Sequence, residues 1–198
     1  MPEGKVLVEA SGLKKHFMVR SGVFGRKQAL KAVDGVSFKI IEGETLSLVG
    51  ESGCGKSTTG RLILKLLPIT DGSVIFDGSD ITGITENQMR PRRKDMQMVF
   101  QDPYSSLNPR IKVKDLISEP LLVHTEMDAA ARYKKTEELL DVVGLSKESM
   151  DKYAHEFSGG QRQRIGIARA ISVHPKLIVA DEPVSALDVS VQSQVLNL

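Results

Sequence analysis

Eight consecutive residues, Gly50-Glu-Ser-Gly-Cys-Gly-Lys56-Ser57, fit the pattern G-x-x-x-x-G-K-[ST] at every fixed place. Gly50, Gly53 and Gly55 let the backbone wrap an anion, so that successive N–H groups face a phosphate chain. Glu51, Ser52, Cys54 and Thr58 belong to the same run of main-chain donors. Lys56 supplies a point charge to the terminal phosphates, and the Ser57 hydroxyl is a ligand for Mg²⁺. A second set, Leu177-Ile-Val-Ala-Asp181-Glu182, is an apolar run closed by two acids. Successive strand side chains point to opposite faces, so adjacent acids do not serve one site atom. Asp181 is therefore expected on Mg²⁺, and Glu182 as general base on an attacking water. A third set, Phe157-Ser158-Gly159-Gly160-Gln161, places bare backbone donors at the start of a helix, a second anion-binding device. One nucleotide does not need two such devices from one chain. The third set is expected to serve a nucleotide held by a second subunit.

Each set needs elements to hold it. A phosphate loop requires a strand before it and a helix after it. Residues 45–49 read as that strand. Residues 57–67 read as that helix, with Leu62, Ile63, Leu66 and Leu67 at helical spacing and Pro68 as the stop. Residues 6–9 and 32–41 read as earlier strands, with an exposed loop over 21–27 and breakers at Asp34-Gly35 and Glu42-Gly43. After the Asp71-Gly72 turn, residues 73–77 read as a strand, and residues 96–100 as the next. Helices are expected over 113–124, over 129–143 with Gly144 as terminator, and over 161–173, where Ile165, Ala168 and Ile171 share a side. Residues 177–180 are wholly apolar and read as a strand of the buried parallel type. A β-rich start, a helical block and a return to β predict an α/β nucleotide-binding core with a helical insertion.

Composition narrows the classes further. The chain has 198 residues, 40% of them hydrophobic, which is enough for a sizeable core. That excludes a disordered tail, a disulfide mini-protein and a fibrous repeat. Twenty-seven Lys and Arg against 25 Asp and Glu leave a net charge of +2, which makes no case for nucleic acid as main ligand. The longest charge-free stretch, residues 189–198, is short of the ~18 residues a membrane span needs, and the first ten residues carry no apolar signal core. The single cysteine, Cys54, cannot close an internal disulfide and suits a reducing compartment. A soluble, intracellular α/β protein is expected. The basic run Arg90-Pro-Arg-Arg-Lys94 lacks interleaved aromatics and reads as a solvated face. The histidines at 16, 124, 155 and 174 show no metal-ligand spacing.

With the three motifs in place, the chain resembles the nucleotide-binding subunit of an ABC transporter over essentially its whole length. The resemblance implies a P-loop NTPase fold of the ABC type, with a RecA-like core, an N-terminal antiparallel β subdomain and an inserted helical subdomain. It implies an ATP-binding core with β subdomain over residues 1–101 plus 175–198, and a helical subdomain over 102–174. Residues 157–161 look like the family's signature motif, with Phe157 where Leu is commonest. Gln101, after the strand at 96–100, matches the glutamine that contacts Mg²⁺ and water and couples to the membrane subunit. Ser185-Ala-Leu-Asp188 resembles the D-loop at the dimer seam. Phe17 sits where the family places an aromatic that stacks on adenine. Three stretches, 50–67, 99–109 and 182–191, look like the oligopeptide/dipeptide importer branch, most specifically Pro103-Tyr-Ser-Ser-Leu-Asn-Pro109.

On that resemblance the cofactors are ATP and Mg²⁺. Catalysis falls to Glu182, Lys56 and Gln101, and the metal to Ser57, Gln101 and Asp181. Nucleotide contacts fall to Phe17, Gly50, Glu51, Ser52, Gly53, Cys54, Gly55, Lys56, Ser57 and Thr58, with Ser158, Gly159, Gly160, Gln161 and Asp188 at the dimer seam. The implied partners are a second nucleotide-binding subunit, identical or different, transmembrane permease subunits and, indirectly, a solute-binding protein; nucleic acid is not among them. The implied place is the cytoplasmic side of the inner membrane, as a peripheral subunit. The same role in nickel or glutathione import, a soluble ABC-type ATPase not tied to transport, and a nucleotide sensor without turnover stand as alternatives. In the family a further strand and a switch histidine follow the D-loop. A chain ending at Leu198 is expected to be incomplete there and to hydrolyse ATP slowly.

Overall fold

The computed structural model describes residues 4–20, 27–184 and 192. They belong to two compact units, Met1–Arg90 and Pro91–Leu198.

In the first unit, β1 (Val6–Arg20) pairs antiparallel with β2 (Lys27–Ile41) on one side. The helix α1 (Lys56–Ile63) follows, and then β3 (Asp71–Phe76) and β4 (Ser79–Asp80) complete a sheet of order β2-β1-β3-β4. The register of β1 shifts between Ala10 and Leu13, where Gly12 takes a left-handed φ of 57°. A strand's side chains alternate, so such an irregularity changes which parity points inward. Val8 and Ala10 are buried before it, and Leu13 and Lys15 after it. Val74 and Phe76 of β3 alternate inward as a half-buried strand should.

Several expectations in this unit change: the strand expected over 6–9 continues to Arg20, and the one expected over 32–41 begins at Lys27. The helix after the phosphate loop ends at Ile63 instead of running to 67. Lys65 adopts a left-handed φ of 51°, and the amides of Leu66 and Leu67 turn back to the carbonyl of Arg61 at 2.8 and 3.3 Å. The Lys65 ammonium donates to the carbonyls of Ile81, Thr82 and Ile84, which holds the chain out of helical course. Residues 44–50, expected to contain a strand, carry no ladder among the described residues, and Val49 is 93% exposed. A strand exists only where another chain segment exchanges hydrogen bonds with it, and β-type residues cannot supply that partner themselves.

The short helix α2 (Glu86–Met89) starts on a capping box between Thr85 and Gln88, and a 3-10 turn (Arg90–Asp95) follows it. The second unit then opens on β5 (Met96–Val99), which pairs in parallel with β6 (Leu177–Ala180) in the register Met96↔Leu177 to Val99↔Ala180. Between these strands lie α3 (Pro103–Ser106), α4 (Val113–His124), α5 (Ala129–Val142) and α6 (Gly159–Ile171). Leu116 and Ile117 of α4, Leu139 and Leu140 of α5, and Ile165 and Ala168 of α6 bury a common core. Each large side chain of that set contributes about 1.5–3 kcal/mol by leaving water. Asp128 caps α5 by accepting from the Ala131 amide at 2.8 Å. Gly144, at φ 68°, ends it, and Arg164 of α6 donates to the carbonyls of Val143 and Gly144, placing a cation at a helix C-terminus. The strand at 177–180 is parallel, as the buried parallel type requires, yet Ile178 is 42% exposed, because β5 alone flanks it among the described residues.

Candidate functional site

In the first unit the candidate residues form the loop over residues 50–57. Gly53 and Gly55 take φ of 82° and 99°, left-handed values that a side chain resists. A Cβ on Gly55 would stand 2.2 Å from the carbonyl oxygen of Ala32 in β2, so the loop's last turn sits hard against that strand. Gly55 also caps α1, and Thr59 returns both its amide and its hydroxyl to the Gly55 carbonyl at 2.8 and 2.9 Å. No acidic residue occupies the first turn of α1. A helix start without acids and with glycine-freed amides favours an anion. Lys56 bends back over the loop, its ammonium 2.8 Å from the carbonyls of both Gly50 and Glu51, which fixes the positive charge at the loop's mouth. Ser57 and Thr58 are half-buried in the first turn, whereas Glu51, Ser52 and Cys54 are exposed. The loop's residues fit a phosphate chain.

In the second unit the candidate residues lie where β5 and β6 end. The Asp181 amide donates to the Val99 carbonyl at 2.9 Å, continuing the ladder one step past Ala180. Just past the end of β6 the Asp181 side chain is buried and Glu182 is exposed. Glu182 takes a left-handed φ of 45°, a sparsely populated conformation for a residue with a side chain. Gln101, just past β5, donates from Nε2 to Glu182 Oε2 at 2.6 Å. A buried carboxylate beside an exposed one that a neutral amide orients is a fit donor set for one Mg²⁺ ligand and one base.

The turn before α6 carries a reciprocal cap. Ser158 caps α6 by accepting from the Gln161 amide at 3.3 Å, while Gln161 Oε1 accepts from the Ser158 amide at 3.1 Å. This reciprocal box spends the Gln161 side chain on orienting the turn and leaves Gly159 and Gly160 without side chains at the helix start. Phe157, 7% exposed, anchors the turn in the helical core.

Phe17 stands half-buried in β1, opposite Leu30 of β2, with the Lys15 ammonium 5.0 Å from its ring centroid. Nearby, Asp34 meets Lys31 at 3.0 Å and His16 at 3.1 Å, and the hydrogen bonds to Lys31 first and then to His16 hold its carboxyl below the usual carboxylate range. Gln101 is thus brought to Glu182, and Asp181 to the end of β5. Ser185 and Asp188 lie outside the described residues. Sequence reasoning missed Gln163, a glutamine only 2% exposed on the inward face of α6, and Arg162, whose guanidinium stacks on the ring of Tyr104, a residue singled out only as part of the Pro103–Pro109 stretch. A polar residue on an otherwise apolar helix face was the available signal for Gln163.

Among the described residues, no helix is long and apolar enough to cross a membrane, and no group of His, Cys, Asp and Glu forms a metal cluster by itself. Compared with protein families, residues 33–185 match the family described as ABC transporter. The oligopeptide transport ATP-binding protein AppF of Bacillus subtilis is 54% identical over 196 residues, covering 98% of this chain and 60% of that protein. The dipeptide transport ATP-binding protein DppF of Escherichia coli is 50% identical over 192 residues, covering 97% of this chain and 58% of that protein. The chain thus spans about three fifths of the curated relatives it matches. Among solved structures, the dimeric post-hydrolysis state of the ATP-binding cassette MJ0796 bound to ADP and Pi matches with a TM-score of 0.88 at 28% identity, covering 96% of this chain and 80% of that one.

Proposed function

The chain belongs to the ABC transporter family and has the mixed α/β fold of its ATP-binding cassettes, and on that premise we propose that it is the ATP-hydrolysing part of an oligopeptide or dipeptide importer subunit. ATP with Mg²⁺ supplies the phosphoryl group and the charge neutralisation of the reaction. Lys56 and the amides of residues 50–58 hold the phosphates, with Phe17 against the base. Ser57 and Asp181 hold the metal, together with the Gln101 side-chain oxygen. Glu182 accepts the proton of the attacking water, and Gln101 Nε2 fixes the carboxylate that does so. Ser158, Gly159, Gly160 and Gln161, with Asp188, serve the nucleotide of a second such subunit, identical or different. We assign residues 1–101 with 175–198 to the ATP-binding core and 102–174 to the helical subdomain.

The observation that carries the hydrolytic reading is the 2.6 Å contact between Gln101 and Glu182 at the ends of two parallel strands. The peptide cargo is supported by identities of 47–54% to relatives named for oligopeptide, dipeptide and di/tripeptide transport. Those names also support permease subunits as partners and a peripheral place on the cytoplasmic face of the membrane. The test is ATP hydrolysis and labelled-peptide uptake by the full-length protein reconstituted with permease subunits of a peptide importer. Mg²⁺-dependent hydrolysis stimulated by peptide supports the proposal. Uptake of nickel or glutathione in place of peptide reassigns the cargo, and ATP binding without phosphate release overturns the hydrolytic role.

A further inference from the structure

Two neighbouring side chains of α6 grip the chain on either side of Gln101. Gln163, 2% exposed, donates from Nε2 to the Phe100 carbonyl at 3.3 Å. Arg162 lays its guanidinium over the Tyr104 ring, Cζ standing 4.1 Å from the centroid, and is itself held through Nη2 on the His155 carbonyl at 3.0 Å. The same ring covers the first residue of α6: a Cβ on Gly159 would meet Tyr104 carbon and hydroxyl atoms at 3.6 and 3.7 Å. Asp102 accepts from the Tyr104 amide at 2.8 Å and so ties the ring's position to the segment between.

Gln101 therefore hangs between two clamps on one helix. Its own amide reaches Glu182, and the helix begins at Ser158 and Gly159. The two clamps differ in kind. The Gln163 bond is part-buried and its donor belongs to a residue only 2% exposed, so breaking it leaves a buried amide without that partner, and this link is the stiffer of the two. Tyr104 is 60% exposed, so the stack on Arg162 can open and close without unmaking the core.

We propose that Tyr104, Arg162 and Gln163 are positioning residues that tie the turn at Ser158–Gly160 to Glu182 of the same chain. This rests on the hydrolytic reading of Glu182 given above. Displacement of the α6 start on gripping an anion moves Phe100 and Tyr104 with it, and thereby sets whether Gln101 reaches the Glu182 carboxylate. Each chain then reports the state of the nucleotide held against its α6 to its own base.

The experiment uses the full-length protein with Tyr104→Ala, Tyr104→Phe, Arg162→Ala and the double alanine variant, reading kcat and KM for ATP together with amide exchange over residues 100–104. Each single alanine variant is expected to lower kcat about two- to fivefold, the worth of one exposed cation–π contact, with KM moved by less than about twofold. The double variant should be no worse than either single one, because both remove the same contact. Tyr104→Phe keeps the ring face and should recover most of the loss. The Tyr104 amide should exchange faster in the alanine variants and not in Tyr104→Phe. Unchanged kcat in both alanine variants, losses that multiply, or KM rising with the fall in kcat each overturn the proposal, as does unaltered exchange. Absent turnover in the wild-type protein removes the hydrolytic reading and this proposal together; wild-type turnover matched by both alanine variants removes this proposal alone.

Discussion

Gln101 and Glu182 are 81 positions apart, and the Gln101 Nε2 donates to Glu182 Oε2 at 2.6 Å. The parallel register that pairs Val99 with Ala180 brings the two together, since each lies just beyond that last rung. Glu182 holds a left-handed φ of 45° there, a conformation that persists only where its surroundings over-determine it and that gathers at functional sites.

That contact makes Glu182→Gln the sharpest test of chemistry. The variant should bind ATP as the wild type does and lose about 10²–10⁴ in turnover, the share a general base contributes. Lys56→Ala, by contrast, should weaken ATP affinity itself. Equilibrium nucleotide binding beside phosphate release in both variants checks the pair, and wild-type turnover in Glu182→Gln would remove the assignment.

Gln101→Ala removes the donor to Glu182 without touching residues 50–57. Its expected effect is a loss of hydrolysis and of peptide uptake larger than any loss of ATP affinity. Parallel binding, phosphate-release and uptake assays decide this; equal losses in all three argue against an orienting role.

Gly55→Ala should be worse than Gly53→Ala. Both positions have left-handed φ, yet a Cβ at Gly55 meets the Ala32 carbonyl at 2.2 Å, whereas nothing lies within 4 Å at Gly53. The Gly53 variant should lose about 1–2 kcal/mol for conformation alone, and the Gly55 variant more. Urea midpoints of the two variants measured together test the order.

Ser158 serves a cap and an anion device at once, and substitutions separate the roles. Ser158→Ala should cost about 0.5–2 kcal/mol of stability through loss of the cap. Ser158→Asp caps equally well and should restore stability, while its charge repels phosphate and leaves hydrolysis low. Recovery of both properties in Ser158→Asp would show that only the cap matters.

Acid should loosen the helical unit through Asp151. Lys114 at 2.8 Å, and then Lys112 at 3.3 Å, hold its carboxyl below the usual carboxylate range. A folded pKa below the unfolded one gives stability that is present above the unfolded value and is lost as pH falls through the folded one, here below about pH 4. The group is exposed, so the effect is small. Denaturant midpoints followed from about pH 5 to about pH 2 should fall less steeply in Asp151→Asn than in the wild type.

What the sequence determines here is what one segment can specify alone. The period of residues 113–124 places a helix at Val113–His124, the apolar run at 177–180 gives β6, and Gly144 ends α5 with a left-handed φ. The glycine spacing of residues 50–57 and the Ser158–Gln161 box are likewise local, because backbone freedom and capping act over three or four residues. Other features needed partners that no single segment names. Residues 45–49 have strand character without a ladder, and α1 stops at Ile63 because Lys65 finds three carbonyls at 81–84. The parity of β1 turns on a bulge at Gly12, and Tyr104 lies on Arg162 only because α3 and α6 meet. Side-chain period is written along the chain, but a hydrogen bond or a stacking contact belongs to two positions at once. Gln101 and Glu182 could be named separately from sequence; that one orients the other was decided by the pairing of β5 with β6.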